Sequence, residues 1–302
     1  METKKGNDMQ KTIRIGSRES RLAQVQAELI RAQIQAKHPE IRTEIITMKT
    51  SGDKILNQSL STIGGKGLFV KELEKALLDG RIDISVHSLK DVPMVENEEL
   101  PILAYGKRED PRDVLIFKPG RHTFPEEGIL GTSSQRRKLQ MLNIYPNCRF
   151  RVIRGNVQTR LRKLQEEEYD GTILALAGLK RLGMESVIGR IFETDEMIPA
   201  AGQGILAIQG RRGEDYSWLD GIDDSVSRIA VQAERTFVRV LDGDCTSPTA
   251  AHAVIRGTDI KLTGLYEHPV TKEIRTGEII GNCTEAQKLG EELANRLMKT
   301  YN

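Results

Sequence analysis

Polar and apolar positions alternate over residues 12–16 and again over 41–48. Between them Leu22, Val25, Leu29 and Ile30 fall on one face of a helix that Ser20 is placed to cap. A strand–helix–strand opening is therefore predicted. Gly64-Gly65-Lys66-Gly67 then leads into a predicted helix over 68–78, which Asp79-Gly80 ends, and 82–86 reads as a buried strand. After Leu103-Ala104-Tyr105-Gly106 the charged stretch KREDPRD marks a hinge or boundary. A second set follows: strand 114–117, a helix from Ser134, strand 149–153, a helix from Asn156, strand 172–176, a break at Pro199-Ala200-Ala201-Gly202 and strand 205–209. Strands alternating with helices predict βαβ units and mostly parallel sheets. The remainder changes character. Ser225 is placed to cap a long helix carrying Ile229, Ala233, Phe237 and Leu241, and strand-like runs follow near 252–256, 259–266 and 273–279. A last helix with Leu289, Leu293 and Leu297 begins at Thr284-x-x-Gln287, read as a capping box. The pattern predicts two α/β lobes and a smaller α+β domain.

Composition narrows the function. In 302 residues, 45 Lys and Arg face 43 Asp and Glu, a net charge of +2 that argues against a nucleic-acid protein built on bulk charge. Aromatic residues are only 4%, too few for the stacking platforms of a single-strand binder. No apolar run approaches the roughly 20 residues that cross a bilayer, and METKKGNDMQ lacks the apolar core of a signal peptide. Cys148, Cys245 and Cys283 share no CxxC or His-linked spacing, so neither a disulfide framework nor a zinc site is expected.

The local charge pattern is more informative. Residues 128–165 contain no Asp or Glu, where the chain average would place roughly five, yet they hold Arg136, Arg137, Arg149, Arg151, Arg154, Arg160 and Arg162. Several stand at element ends, where a parallel sheet and its helix N-termini gather anions, and guanidinium suits planar carboxylates and phosphates. The plain alternative is a solvated basic face paired with acids elsewhere. Gly131-Thr132-Ser133-Ser134 before these arginines suits either a helix cap or an anion. His87-Ser88-Leu89-Lys90-Asp91-Val92-Pro93 follows a strand; Asp91 either pairs with Lys90 or faces the cationic cleft, stabilising a developing cation. Cys245 sits in a Gly/Pro turn past the long helix, a plausible nucleophile or attachment point, although Asp242 and Asp244 would not favour its thiolate. Gly202-Gln203-Gly204 precedes a strand, not the helix that a dinucleotide fingerprint needs, and Gly64-Gly65-Lys66-Gly67 lacks the flanks of a P-loop.

The stretches IRIGSRESRLA, GGKGLFVKELE, DISVHSLKDVP, REDPRD, GTSSQRRK, RGNVQTRL, LALAGLKRLG, PAAGQG and ERTFVRVLDGDC run in that order from residue 13 to residue 245. Together they resemble the hydroxymethylbilane synthases (porphobilinogen deaminases) of tetrapyrrole biosynthesis. The resemblance implies two lobes like those of type II periplasmic binding proteins plus an α+β domain: residues 1–105 with 203–222, then 106–202, then 223–302. It implies a transferase that joins four porphobilinogen units head to tail, with loss of ammonia, into linear hydroxymethylbilane. The primer would be a dipyrromethane cofactor held by a thioether, at Cys245 by the match of LDGDC, with no metal. The KDVP aspartate, here Asp91, would assist protonation of the departing amine and stabilise the electron-poor azafulvene. Arg18, Arg136, Arg137, Arg154, Arg160 and Arg181 would bind carboxylates, with Ser20, Lys90, Thr132, Ser133 and Ser134 adding hydrogen bonds, and the arginines would serve binding and not folding. Gln26, Ser88, Asn156 and Gln203 match positions at the site, and Lys66 and Phe69 match a mobile loop and the substrate pocket. The resemblance further implies a cytoplasmic monomer with no nucleic-acid or membrane partner. The chain departs from the family at Asp244, where the usual residue is Gly, at Ser61-Thr62-Ile63, where many relatives carry a lysine, and at Gln209, where an acid is common. A non-catalytic two-lobed binding protein for a carboxylate or oxyanion would also explain the lobes and arginines, but needs neither Cys245, a third domain nor the KDVP turn.

Overall fold

The computed structural model describes residues 12–50, 70–243 and 247–299. Two five-stranded sheets are built to one plan. In the first, β1 (Thr12–Arg18), β2 (Arg42–Met48), β3 (Ile84–Ser88), β4 (Ile102–Tyr105) and β10 (Leu206–Gly210) lie in the order β2-β1-β3-β10-β4. In the second, β5 (Asp113–Phe117), β6 (Ile129–Gly131), β7 (Arg149–Arg151), β8 (Gly171–Ala175) and β9 (Arg190–Ile191) lie in the order β7-β6-β8-β5-β9. Each lobe thus inserts, next to its third strand, a strand that follows directly on a crossing from the other lobe. This is the type II periplasmic-binding-protein arrangement. Helices α1 (Arg21–Lys37) and α2 (Lys71–Leu78) belong to the first lobe; α3 (Gln135–Ile144), α4 (Val157–Glu166) and α5 (Leu176–Leu182) to the second.

The expectation of mostly parallel sheets is corrected by those inserted strands. β10 runs antiparallel to β3 and β4, and β5 antiparallel to β8 and β9. The reason is direction of entry. The parallel strands β1, β3, β6 and β8 end at the cleft, whereas β5 and β10 begin there and run back into their sheets. A short apolar run carries no mark of direction.

Alternation decides which side chains fill each face. Ile13, Ile15, Ile84 and Val86 pack with Ile30 and Ile34 of α1, while in the second lobe Val114 and Ile116 join one core and Leu115 the other, with Leu130, Met141 and Phe192. The third unit stacks α6 (Ser225–Val240) and α7 (Ala286–Met298) on the antiparallel sheet of β11 (Ala250–Arg256), β12 (Asp259–Glu267) and β13 (Ile274–Asn282), around Phe237, Ile260, Leu262, Leu289 and Leu293.

Two helix starts differ from the sequence reading. Asp224, not Ser225, caps α6, its carboxylate accepting from the Ser227 amide at 2.7 Å. No capping box opens α7: Asn282 accepts from the Thr284 amide at 3.0 Å, and a single 3-10 turn, Cys283–Glu285, leads into the helix. Asp and Asn reach a backbone amide as readily as Ser and Thr do, so neighbouring cap candidates are hard to rank from sequence.

Candidate active site

Every predicted site residue among the described residues lines one cleft of about 900 Å³ between the lobes, closed on a third side by Val238, Ser247 and Thr249. Lys66, Phe69, Cys245 and the departures at Asp244 and Thr62 lie outside the described residues.

The first lobe supplies one wall. β1 delivers Arg18 to the cleft, and Ser20 caps α1 by accepting from the Ala23 amide at 3.3 Å. Inside α1, buried Gln26 donates to the Ser88 hydroxyl at 2.8 Å, tying the helix to the end of β3. From Ser88 the chain turns through the 3-10 segment Leu89–Asp91. Leu89 is fully buried, which leaves Lys90 and Asp91 facing the cleft.

The second lobe supplies the opposite wall. β6 leads into Thr132-Ser133-Ser134, whose hydroxyls are largely used locally. Thr132 Oγ1 accepts from the Ser134 amide at 3.2 Å, Ser133 donates to the Ile153 carbonyl at 2.9 Å, and Ser134 caps α3 through the Arg137 amide at 3.4 Å. Asn156 caps α4 through the Thr159 amide at 2.9 Å, and Arg160 Nε donates to the Gly155 carbonyl at 2.9 Å. Arg154 is buried in the wall between them.

The crossing segments form the floor. Arg181 donates to the Gly204 carbonyl at 2.6 Å. Gly204 has φ +91°, and a Cβ there would stand 2.3 Å from the Glu109 carbonyl of the other crossing, so the two segments approach this closely only through glycine. Gln203 accepts from Lys90 Nζ at 3.1 Å and donates to Asp113 at 3.0 Å.

Asp113 was not among the predicted residues, yet it organises this region. Fully buried at the start of β5, its carboxylate accepts from Arg136 at 2.7 Å and from Arg137 at 2.7 Å. Burial alone would raise its pKa, but the two guanidinium groups hold it well below the usual carboxylate range. Arg136 gives its other terminal nitrogen to the Ile198 carbonyl at 2.7 Å, and Arg137 to the Ile173 carbonyl at 2.9 Å. The pair therefore has a structural task that the sequence reading did not assign. Arg137 Nε nonetheless remains buried without a partner among the described residues.

Charge is unbalanced around Asp91. Among the described residues no donor hydrogen-bonds its carboxylate, and Glu19 is the other acidic residue of the lining. Burial, reinforced by Arg137, pushes Lys90 down to about 8, and burial with Arg137 pushes Arg160 down to about 10; Asp91 opposes both shifts. The lining also includes Lys49 and Val152, which sequence reasoning missed, and Lys138 of the acid-free stretch. REDPRD contains Asp113, so a signal for it existed, but it read as a hinge.

Fold and site define a two-lobed α/β protein with a cationic cleft and an α+β domain that closes its third side. The family model for the porphobilinogen deaminase dipyromethane cofactor binding domain matches residues 13–217, and that for the porphobilinogen deaminase C-terminal domain matches residues 228–299. A porphobilinogen deaminase of Ruminiclostridium josui is 50% identical over 288 residues, covering 95% of this chain and 98% of its own. One from Coxiella burnetii is 42% identical over 291 residues, covering 96% and 95%. The chain belongs to the porphobilinogen deaminase family. Among solved structures, the effector-binding domain of BenM with benzoate matches at 15% identity and TM-score 0.41, covering 69% of this chain and 87% of its own. The Escherichia coli aliphatic sulphonate binding protein SsuA matches at 11% and 0.40, covering 76% and 70%.

The cofactor of the family is a dipyrromethane, and the residues present fit it. The cleft volume lies in the range that holds such a ligand. The orphaned Nε of buried Arg137 faces no protein acceptor among the described residues, and a ligand carboxylate would satisfy it. Arg18, Arg154 and Arg160 stand around the same space.

Proposed function

We propose that this chain condenses four porphobilinogen molecules head to tail, releasing ammonia, with Asp91 as the catalytic group and Cys245 as the thioether attachment point, acting as a cytoplasmic monomer without nucleic-acid or membrane partners. The observation that carries the reading is the Asp91 carboxylate, which sits in a cleft lined by Arg and Lys with no hydrogen-bond donor among the described residues. An ion placed this way is free to act on a ligand.

Arg137, Arg154 and Arg160 would hold acetate and propionate groups, with Arg18 and Lys90 on the facing wall. When bound, the dipyrromethane supplies the pyrrole carbon from which the chain is extended. Asp91 would take the pyrrole N–H groups of the substrate, assist proton delivery to the departing amine and oppose the positive charge that builds on the ring. A fixed carboxylate lowers such a barrier because its attraction grows as charge develops. Lys90 and His87 cannot substitute, being cationic or neutral.

The test uses holoenzyme whose cofactor loading is read by intact mass and whose adduct is located by peptide mapping. Asp91→Asn keeps shape but removes charge and should lower turnover about a hundredfold or more, the scale of one lost electrostatic stabiliser. Asp91→Glu should retain measurable activity. Wild-type turnover by Asp91→Asn would remove Asp91 from the catalytic role, and an adduct on Cys148 or Cys283 would remove Cys245 from its own.

A further inference from the structure

The turn that carries Asp91 is held from outside its own lobe. Arg235, buried in the middle of α6, donates to the Val92 carbonyl at 3.3 Å and also to the Pro93 carbonyl. A Glu96 carboxylate oxygen lies 3.6 Å from the same guanidinium. One helical turn earlier, Val231 packs in a cluster with Leu89 and Val92. The turn is therefore held by one face of α6, through Val231 packed with Leu89 and Val92 and through Arg235 bound to two consecutive carbonyls. Those carbonyls belong to the two residues directly after Asp91, and the Val92 amide, which shares the peptide plane that follows Asp91, bonds the Leu89 carbonyl at 3.0 Å, so the clamp holds the chain one residue beyond the plane from which the Asp91 side chain leaves.

The cost of this arrangement points to a task beyond stability. Burial lowers the pKa of Arg235, the mark of a guanidinium held where charge is disfavoured, and a well-packed apolar side chain often replaces a buried ion without loss. What an apolar residue cannot do is set the direction of two carbonyls. The same helix shows Val238 to the cleft three residues later, and the chain beyond its end returns to the cleft at Ser247 and Thr249. Helix α6 thus meets both the turn and the third side of the cleft.

We propose that Arg235 is a positioning residue for Asp91, fixing the catalytic turn of the first lobe against the helix of the third unit by its two carbonyl hydrogen bonds. The inference rests on the assignment of Asp91 as the catalytic group.

A double-mutant cycle on loaded enzyme tests it. Arg235→Gln should lower kcat roughly tenfold to a hundredfold, the scale of a small misplacement of a reacting group, with KM within about twofold of wild type. Amide hydrogen exchange in the peptide covering residues 84–95 should rise. Arg235→Lys, which keeps a cationic donor, should recover part of kcat and carries the test if Arg235→Gln does not fold. Glu96→Gln, which leaves the carbonyl bonds in place, should behave as wild type. In an Asp91→Asn background the Arg235 substitution should cost less than about twofold more, because residues acting through one group are not additive. An equal loss of kcat in both backgrounds, an effect on KM alone, or unchanged exchange in the 84–95 peptide would overturn the proposal. Failure of the Asp91 assignment reads differently, as wild-type turnover by Asp91→Asn alone.

Discussion

At the scale of single residues, the arginines of the acid-free stretch divide by what their nitrogens touch. Both terminal nitrogens of Arg136 are bound within the protein at 2.7 Å, one of them to buried Asp113. Among the described residues the Arg160 side chain makes one hydrogen bond, from Nε to Gly155, and it lines the cleft. Arg136→Leu should therefore lower the unfolding free energy by about 3–5 kcal/mol, the cost of breaking a buried pair. Arg160→Leu should lower it by less than about 1 kcal/mol while raising KM. Urea unfolding beside steady-state kinetics checks both. The sequence showed where the arginines gather, and it could not show this division. Asp113 lies outside the acid-free window and reaches Arg136 and Arg137 only because β5 inserts antiparallel beside β8. Residue type marks a candidate ligand; its occupied hydrogen bonds decide whether it is free to bind one.

At the scale of elements, the strand-to-helix turns of the second lobe do two jobs with the same atoms. Asn156 caps α4 and also lines the cleft. Asn156→Ala should cost about 1 kcal/mol of stability through the lost cap. Asn156→Asp keeps a cap that the helix dipole favours, so stability should hold while the added negative charge raises KM for a carboxylate-rich substrate. Thermal unfolding and KM measured on the two variants separate cap from cleft. The positions of these elements were legible because the apolar repeat and the Ser134 and Asn156 caps are local signals. Strand direction was not, since it depends on where the chain re-enters a sheet. Asp224 caps α6 where the sequence points to Ser225 for a related reason: adjacent polar residues compete for one cap, and the geometry of the preceding loop settles which wins.

At the scale of the whole molecule, one carboxylate joins three parts. Glu234 of α6, fully buried, accepts from Arg108 at 2.8 and 2.7 Å, from the Gly202 amide at 2.7 Å and from the Ala253 amide at 2.7 Å. Arg108 and Gly202 belong to the two crossing segments, and Ala253 to β11. Burial would raise the Glu234 pKa, but Arg108 and His252 bring it down to about 2, against 4.5 for a free glutamate. The folded state therefore takes up this proton later than the unfolded chain does. The stabilisation is full above about pH 4.5 and is lost as the pH falls from there toward 2. Glu234→Gln should be less stable at neutral pH, with a shallower decline of unfolding free energy across that acid window. Denaturant titrations at a series of pH values measure it, and a decline as steep as that of wild type would show that other groups set the acid limb. ERTFVRVLDGDC contains both Glu234 and Arg235, yet nothing in the sequence marks that one meets the crossing segments and the other the Asp91 turn.

The strand order of the first sheet has a consequence for biosynthesis. Among the described residues β4 pairs in that sheet with β10 alone, and the Leu89 amide of the Asp91 turn bonds the Ile205 carbonyl just before β10. A ribosome makes β10 only after every strand of the second lobe. Neither the β10 ladder nor the Leu89–Ile205 bond of the Asp91 turn can therefore form until the arginine-rich lobe has been synthesised.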